Sequence, residues 1–183
     1  MNVPNVLSLL RLAMVPLFCV VFFQPSEDAH LWAAAIYALA SLTDVLDGWI
    51  ARRFDQITRL GRVLDPLADK LMTFSVIVCI TAADIIPLWA VVIFFCKEAL
   101  MGLGALSMYR KVDDVIPSNY LGKASTATFF VVCLALMLFP QIPRTWATVM
   151  IGLALALTIA AALVYLWNYL AVTGKRKEKT PKV

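Results

Sequence analysis

Apolar runs long enough to cross a bilayer follow one another along this chain with only short polar interruptions, which restricts the backbone more than any motif does. A span needs about 20 apolar residues, and inside hydrocarbon each backbone N–H and C=O must find its partner within the structure. The expected fold is therefore all-α, a polytopic membrane protein of six transmembrane helices. They run roughly Asn5–Phe23, His30–Ile50, Val63–Ala83, Pro87–Tyr109, Leu121–Phe139 and Thr145–Val172. The breaks fall at Gln24-Pro25-Ser26, the Arg52–Arg62 loop, Ala83-Asp84, Asp113-Asp114 and Pro140-Gln141-Ile142-Pro143, where turn-forming or charged residues collect. The first segment has room for a short interfacial helix before Arg11, with the span proper after it. Charged residues make up only 15% of the chain, against about 25% in soluble domains, so no separate soluble domain is expected. One membrane domain over residues 1–174 and a basic tail over 175–183 account for everything.

The loop charges set an orientation. Arg11, Arg52, Arg53, Arg59, Arg62, Arg110, Lys111 and the tail Lys175, Arg176, Lys177 and Lys179 gather on one side, while Glu27, Asp28, Asp84 and Arg144 fall on the other. By the positive-inside rule both termini are cytoplasmic, as in a bacterial inner membrane. The run Leu12–Phe23 is preceded by Arg11 alone and followed by no small-x-small cleavage site, so it reads as a retained helix rather than a signal peptide. Cys19, Cys79, Cys96 and Cys133 are scattered through apolar runs without a C-x-x-C pair and read as small core or lipid-facing residues. His30 is the single histidine, which excludes His-rich zinc chemistry.

Against this background four aspartates stand out: Asp44, Asp47, Asp65 and Asp69 lie inside or beside the apolar runs. An ionisable group at membrane depth is costly and marks function by default. At ~100° per residue, Asp44 and Asp47 share one helix face, as do Asp65 and Asp69. A short connection between the two helices would bring all of them towards one point. Bare carboxylates would repel there, and oxygen-only ligands select hard cations such as Mg²⁺, Mn²⁺ or Ca²⁺ over zinc.

The wider pattern is Asp44-x2-Asp47-Gly48-x2-Ala51-Arg52-x8-Gly61-x3-Asp65-x3-Asp69, and it resembles the signature of the CDP-alcohol phosphotransferases at every fixed position. The segment Pro4-Asn5-Val6-Leu7-Ser8-Leu9-Leu10-Arg11 resembles that family's N-terminal segment, particularly in phosphatidylglycerophosphate synthases. The resemblance implies two divalent cations, Mg²⁺ or Mn²⁺, held by the aspartates on the diphosphate of a CDP-linked lipid. Asp44, Asp47 and Asp65 would be ligands, Asp44 and Asp65 bridging. Asp69 would also be a ligand and would act as general base on the acceptor hydroxyl. Gly48 and Gly61, lacking Cβ, would let backbone or cytidine approach closely. Arg52 would sit near the nucleotide with Thr58, paired to phosphate, and Asn5 and Ser8 would contact the CDP moiety.

The acceptor site is expected among cations near helix ends on the fourth and fifth spans: Lys97, Arg110 and Lys123. Ser118-Asn119-Tyr120-Leu121-Gly122-Lys123 resembles the V-S-x-x-G-K stretch of phosphatidylglycerophosphate synthases, although Lys97-Glu98 stands where those enzymes carry Arg-Glu. Transfer of a phosphatidyl group from CDP-diacylglycerol to glycerol 3-phosphate is the favoured reading. The rival within the family is a cardiolipin synthase, which takes phosphatidylglycerol as acceptor. From another class, a small-solute transporter would be expected to show inverted repeats and broken helices, and neither is evident. Membrane lipids and a second copy in a homodimer are the implied partners; nucleic acid is not.

Overall fold

The computed structural model describes residues 3–53, 61–109 and 120–178, with side chains left out at several helix ends. Among the described residues the protein is entirely helical. Six helices follow in order: α1 (Val3–Phe22), α2 (Ala29–Arg53), α3 (Gly61–Ala82), α4 (Leu88–Tyr109), α5 (Tyr120–Leu138) and α6 (Arg144–Glu178). Each expected span corresponds to one helix, and the chain is a polytopic membrane protein. The stretches Asn5–Phe22, Ala29–Ile50, Tyr120–Leu138 and Arg144–Trp167 are each long and apolar enough to cross a bilayer. In α3 the first half carries Asp65, Asp69 and Lys70, so its apolar stretch is shorter.

The helix boundaries have local causes. Asp28 caps α2, its carbonyl accepting from Trp32 N at 3.0 Å as the first intrahelical bond forms. At the end of α3, Ile85 N donates to Ile80 O (3.0 Å) and Asp84 N to Thr81 O (2.9 Å). That pair of bonds is a Schellman motif, and it places Asp84 in the left-handed region with φ 60°. Arg144 then bridges to Asp84 from the start of α6, at 2.9 and 3.0 Å.

One expectation is corrected. α1 is continuous through Arg11, with no separate interfacial helix. The physical reason is that Arg11 is buried and paired inside the protein, so the helix need not break to carry its charge to the headgroups. α6 runs on to Glu178.

The chain divides into two compact units: Met1–Pro87 with Cys133–Ala147, and Leu88–Val132 with Thr148–Val183. In the first, α1 lies against both α2 and α3, which touch each other more briefly. Its core is a set of matching stripes. Along α1 the buried residues are Asn5, Ser8, Arg11, Met14, Phe18 and Phe22, three or four apart. On α2 they include Ala29, Ala33, Tyr37, Ala40 and Asp47, and small side chains there let the backbones approach. α3 contributes Ala68, Met72, Val76 and Ile80. Polar members of the α1 and α2 stripes collect at the start of α1 and the end of α2. In the second unit, Phe94 of α4 stacks on Phe129 of α5 with ring centroids 5.1 Å apart.

Candidate functional site

The polar end of the α1–α3 unit is built by three helices, each for a sequence reason. Asp44 and Asp47 stand three residues apart on α2, in line with Tyr37 and Ala40 on the face that meets its neighbours. Asp65 and Asp69 open α3, which begins at the buried Gly61. Asn5, Ser8 and Arg11 occupy the first half of the buried stripe on α1, and all three are under 7% exposed.

These residues meet through short contacts. Ser8 Oγ donates to Asp65 Oδ1, tying α1 to α3. Arg11 ties α1 to α2: its Nη1 lies 2.6 Å from Asp44 Oδ1, its Nη2 2.5 Å from Asp47 Oδ2, and its Nε donates to Ala40 O at 3.3 Å. Thr43 Oγ1 donates to the same carbonyl at 2.7 Å. Arg11 and Asp47 are almost wholly buried, whereas the Asp44 side chain is 40% exposed. Removing one partner of a buried pair such as Arg11–Asp47 costs on the order of 3–5 kcal/mol, because the other charge is left uncompensated.

Of the expected aspartates, Asp44 and Asp65 lie within electrostatic range of Asp47. Asp69, one turn further along α3, is exposed and acts electrostatically on Tyr37. The expected convergence of four carboxylates on one point is thus modified, because a guanidinium sits between two of them. Among the described residues no three His, Cys, Asp or Glu side chains converge closely enough to hold an ion. The donor chemistry nevertheless fits a hard cation. Among the described side chains, Asp44, Asp47 and Asp65 set three carboxylates against the one guanidinium of Arg11. Arg11 Nη1, although close to Asp44, makes no directed hydrogen bond. Oxygen ligands with that imbalance suit Mg²⁺ or Mn²⁺.

Gly48 follows Asp47 on α2 and is partly exposed. Arg52 lies in the last turn of α2, and its side chain is outside the described set; Thr58 and Arg110 lie outside the described residues altogether. Lys97 and Lys123 belong to the second unit. Lys97 pairs with Glu98 and lies 5.3 Å above the Phe94 ring, while Lys123, near the start of α5, is exposed. Lys97 and Glu98 thus form an ion pair within α4.

Sequence reasoning missed Arg11 as a member of this cluster. One signal was available: Arg11 continues the three-residue spacing of Asn5 and Ser8.

Comparison with known proteins follows the same lines. The family model described as CDP-alcohol phosphatidyltransferase matches residues 1–167. A Streptomyces coelicolor protein named cardiolipin synthase (CMP-forming) is 40% identical over 130 residues, covering 69% of this chain and 60% of that protein. The chain thus spans well under two thirds of that relative. A Salmonella typhimurium protein named CDP-diacylglycerol–glycerol-3-phosphate 3-phosphatidyltransferase is 33% identical over 180 residues, covering 92% of this chain and 91% of that protein. A Bacillus subtilis protein of the same name is 29% identical over 185 residues, with 92% and 93% covered.

Proposed function

The chain belongs to the CDP-alcohol phosphatidyltransferase family, and from that premise we propose that it transfers a phosphatidyl group from CDP-diacylglycerol to glycerol 3-phosphate, releasing CMP. The observation that carries the reading is the gathering of Asp44, Asp47 and Asp65 beside the buried Asn5 and Ser8 at one end of three helices.

In the proposed reaction the acceptor hydroxyl oxygen attacks the lipid-side phosphorus of the diphosphate. A new P–O bond forms, the P–O bond to CMP breaks, and Asp69 takes the hydroxyl proton. A carboxylate is a weak base for an alcohol, so proton transfer comes late in the attack. Divalent cations bound at the aspartates would polarise the diphosphate and offset charge on attacking and leaving oxygens. Asn5, Ser8, Gly48 and Gly61 receive the nucleotide, with Arg52 and Thr58 at its phosphates. Lys97, Arg110 and Lys123 draw in the dianionic acceptor, whose desolvation has to be offset by charge-assisted contacts. Both termini and the site face the cytoplasm in this reading, and the working form is a homodimer.

Glycerol 3-phosphate is favoured because relatives aligned over nearly their whole length carry that substrate in their names. The 40% match to a cardiolipin synthase supports phosphatidylglycerol as the second reading. Purified protein incubated with labelled CDP-diacylglycerol and each acceptor in turn separates them by CMP release and product identity. EDTA should abolish transfer and Mg²⁺ or Mn²⁺ restore it. Full activity after exhaustive chelation would remove the cations from the scheme.

A further inference from the structure

Arg11 takes no part in the reaction as written, yet it is 1% exposed and grips two of the carboxylates assigned to the cations. Eight residues into α1, its long side chain could have reached the headgroups, as membrane arginines commonly do. Instead it points inward, and its Nε is fixed on Ala40 O. A guanidinium and a divalent ion compete for the same carboxylate oxygens. We propose that Arg11 is a resident counter-ion of the acidic cluster, holding Asp44 and Asp47 until a divalent cation displaces it from them.

The two halves of the grip are unequal, which gives the exchange an order. Nη2 hydrogen-bonds Asp47, whose carboxylate is 3% exposed. Nη1 is drawn to Asp44 by charge alone, without hydrogen-bond direction, and Asp44 is 40% exposed. An arriving cation therefore meets Asp44 first, at the weaker contact, and Asp47 is released second. Until then Arg11 limits the mutual repulsion of Asp44, Asp47 and Asp65 and keeps the cation-free protein folded. The inference rests on the reading of these aspartates as cation ligands.

Two effects oppose each other when Arg11 is removed. Loss of an orienting contact around a metal site weakens affinity by about 10–100-fold. Loss of a unit positive charge a few ångströms from a divalent ion strengthens it by more, on the Coulomb scale of a partly buried site. Tighter binding is the net expectation.

The test uses the full chain in nanodiscs without CDP-lipid, following Mn²⁺ binding by the electron paramagnetic resonance of the free ion, and thermal unfolding with and without Mn²⁺. Arg11→Gln should bind Mn²⁺ about tenfold more tightly than the parent protein. Its unfolding temperature should fall without Mn²⁺ and recover towards the parent value with it. Adding Asp47→Asn to Arg11→Gln should restore part of the cation-free stability, since the uncompensated carboxylate is gone. If Arg11→Gln does not fold, Arg11→Lys carries the test: one ammonium cannot hold both carboxylates, and Mn²⁺ should bind more tightly by a smaller factor. Unchanged or weaker Mn²⁺ binding in the folded variant, or an equal stability loss with and without Mn²⁺, would overturn the counter-ion role. If Asp44→Asn leaves Mn²⁺ affinity unaltered in the parent protein, the ligand assignment itself has failed and the inference falls with it.

Discussion

At the scale of single residues, the four aspartates divide by surroundings: Asp47 is buried against Arg11, Asp65 accepts from Ser8, Asp44 is half in solvent and Asp69 is exposed. An exposed carboxylate one turn along α3 from the cluster is accessible to an arriving acceptor. Asp69→Asn should therefore lower kcat by about 10²–10⁴-fold and leave the KM for CDP-diacylglycerol nearly unchanged, as for a group acting in the transition state. Steady-state kinetics would reverse the assignment if KM rose while turnover of bound substrate persisted. The aspartates were legible in the sequence because their spacing along two successive helices fixes which face each occupies. Arg11 was not, since its hydrogen-bond partner Asp47 lies 36 positions away on another helix. A charge before an apolar run looks the same whether it turns to the headgroups or into the core.

At the scale of helices, the apolar runs and their punctuation located all six elements, and boundaries differ by a few residues because caps and pairings act locally. The end of α3 illustrates this. Ala83-Asp84 was visible as a break, but the left-handed φ of Asp84 arises from the Schellman bonds to Ile80 and Thr81. A side chain in that region costs roughly 1–2 kcal/mol relative to glycine. The exposed pair with Arg144 is worth about 0–1 kcal/mol. Asp84→Gly should accordingly melt at or above the parent temperature, and Asp84→Ala below both. Thermal unfolding in detergent ranks the three, and Asp84→Gly below Asp84→Ala would mean that the backbone conformation matters less than the pairing. The unbroken α1 follows from the same kind of tertiary contact: a paired Arg11 removes the need for an interfacial segment.

At the scale of the whole molecule, family and reaction type followed from one short motif, whereas the acceptor did not, because the cations proposed for it are spread in sequence over α4, α5 and the stretch between them. Lys97 is paired to Glu98, while Lys123 is exposed near the start of α5. Lys123→Ala should raise the KM for glycerol 3-phosphate by about tenfold or more, the scale of one charge-assisted contact, and the KM for CDP-diacylglycerol far less. Equal changes in both constants would return Lys123 to a headgroup anchor. The stripes of α1 and α2 carry one further consequence. Their buried polar residues lie in the first half of α1 and the second half of α2, while Met14, Phe18, Phe22, Ala29 and Ala33 are buried towards the opposite end. A lipid finished at the polar end emerges into the leaflet on that side, so expansion of the opposite leaflet depends on separate translocation. In sealed vesicles holding the protein in one orientation, newly made lipid should react with an impermeant headgroup reagent from one side only. Prompt labelling from both sides would mean that the protein itself passes lipid across.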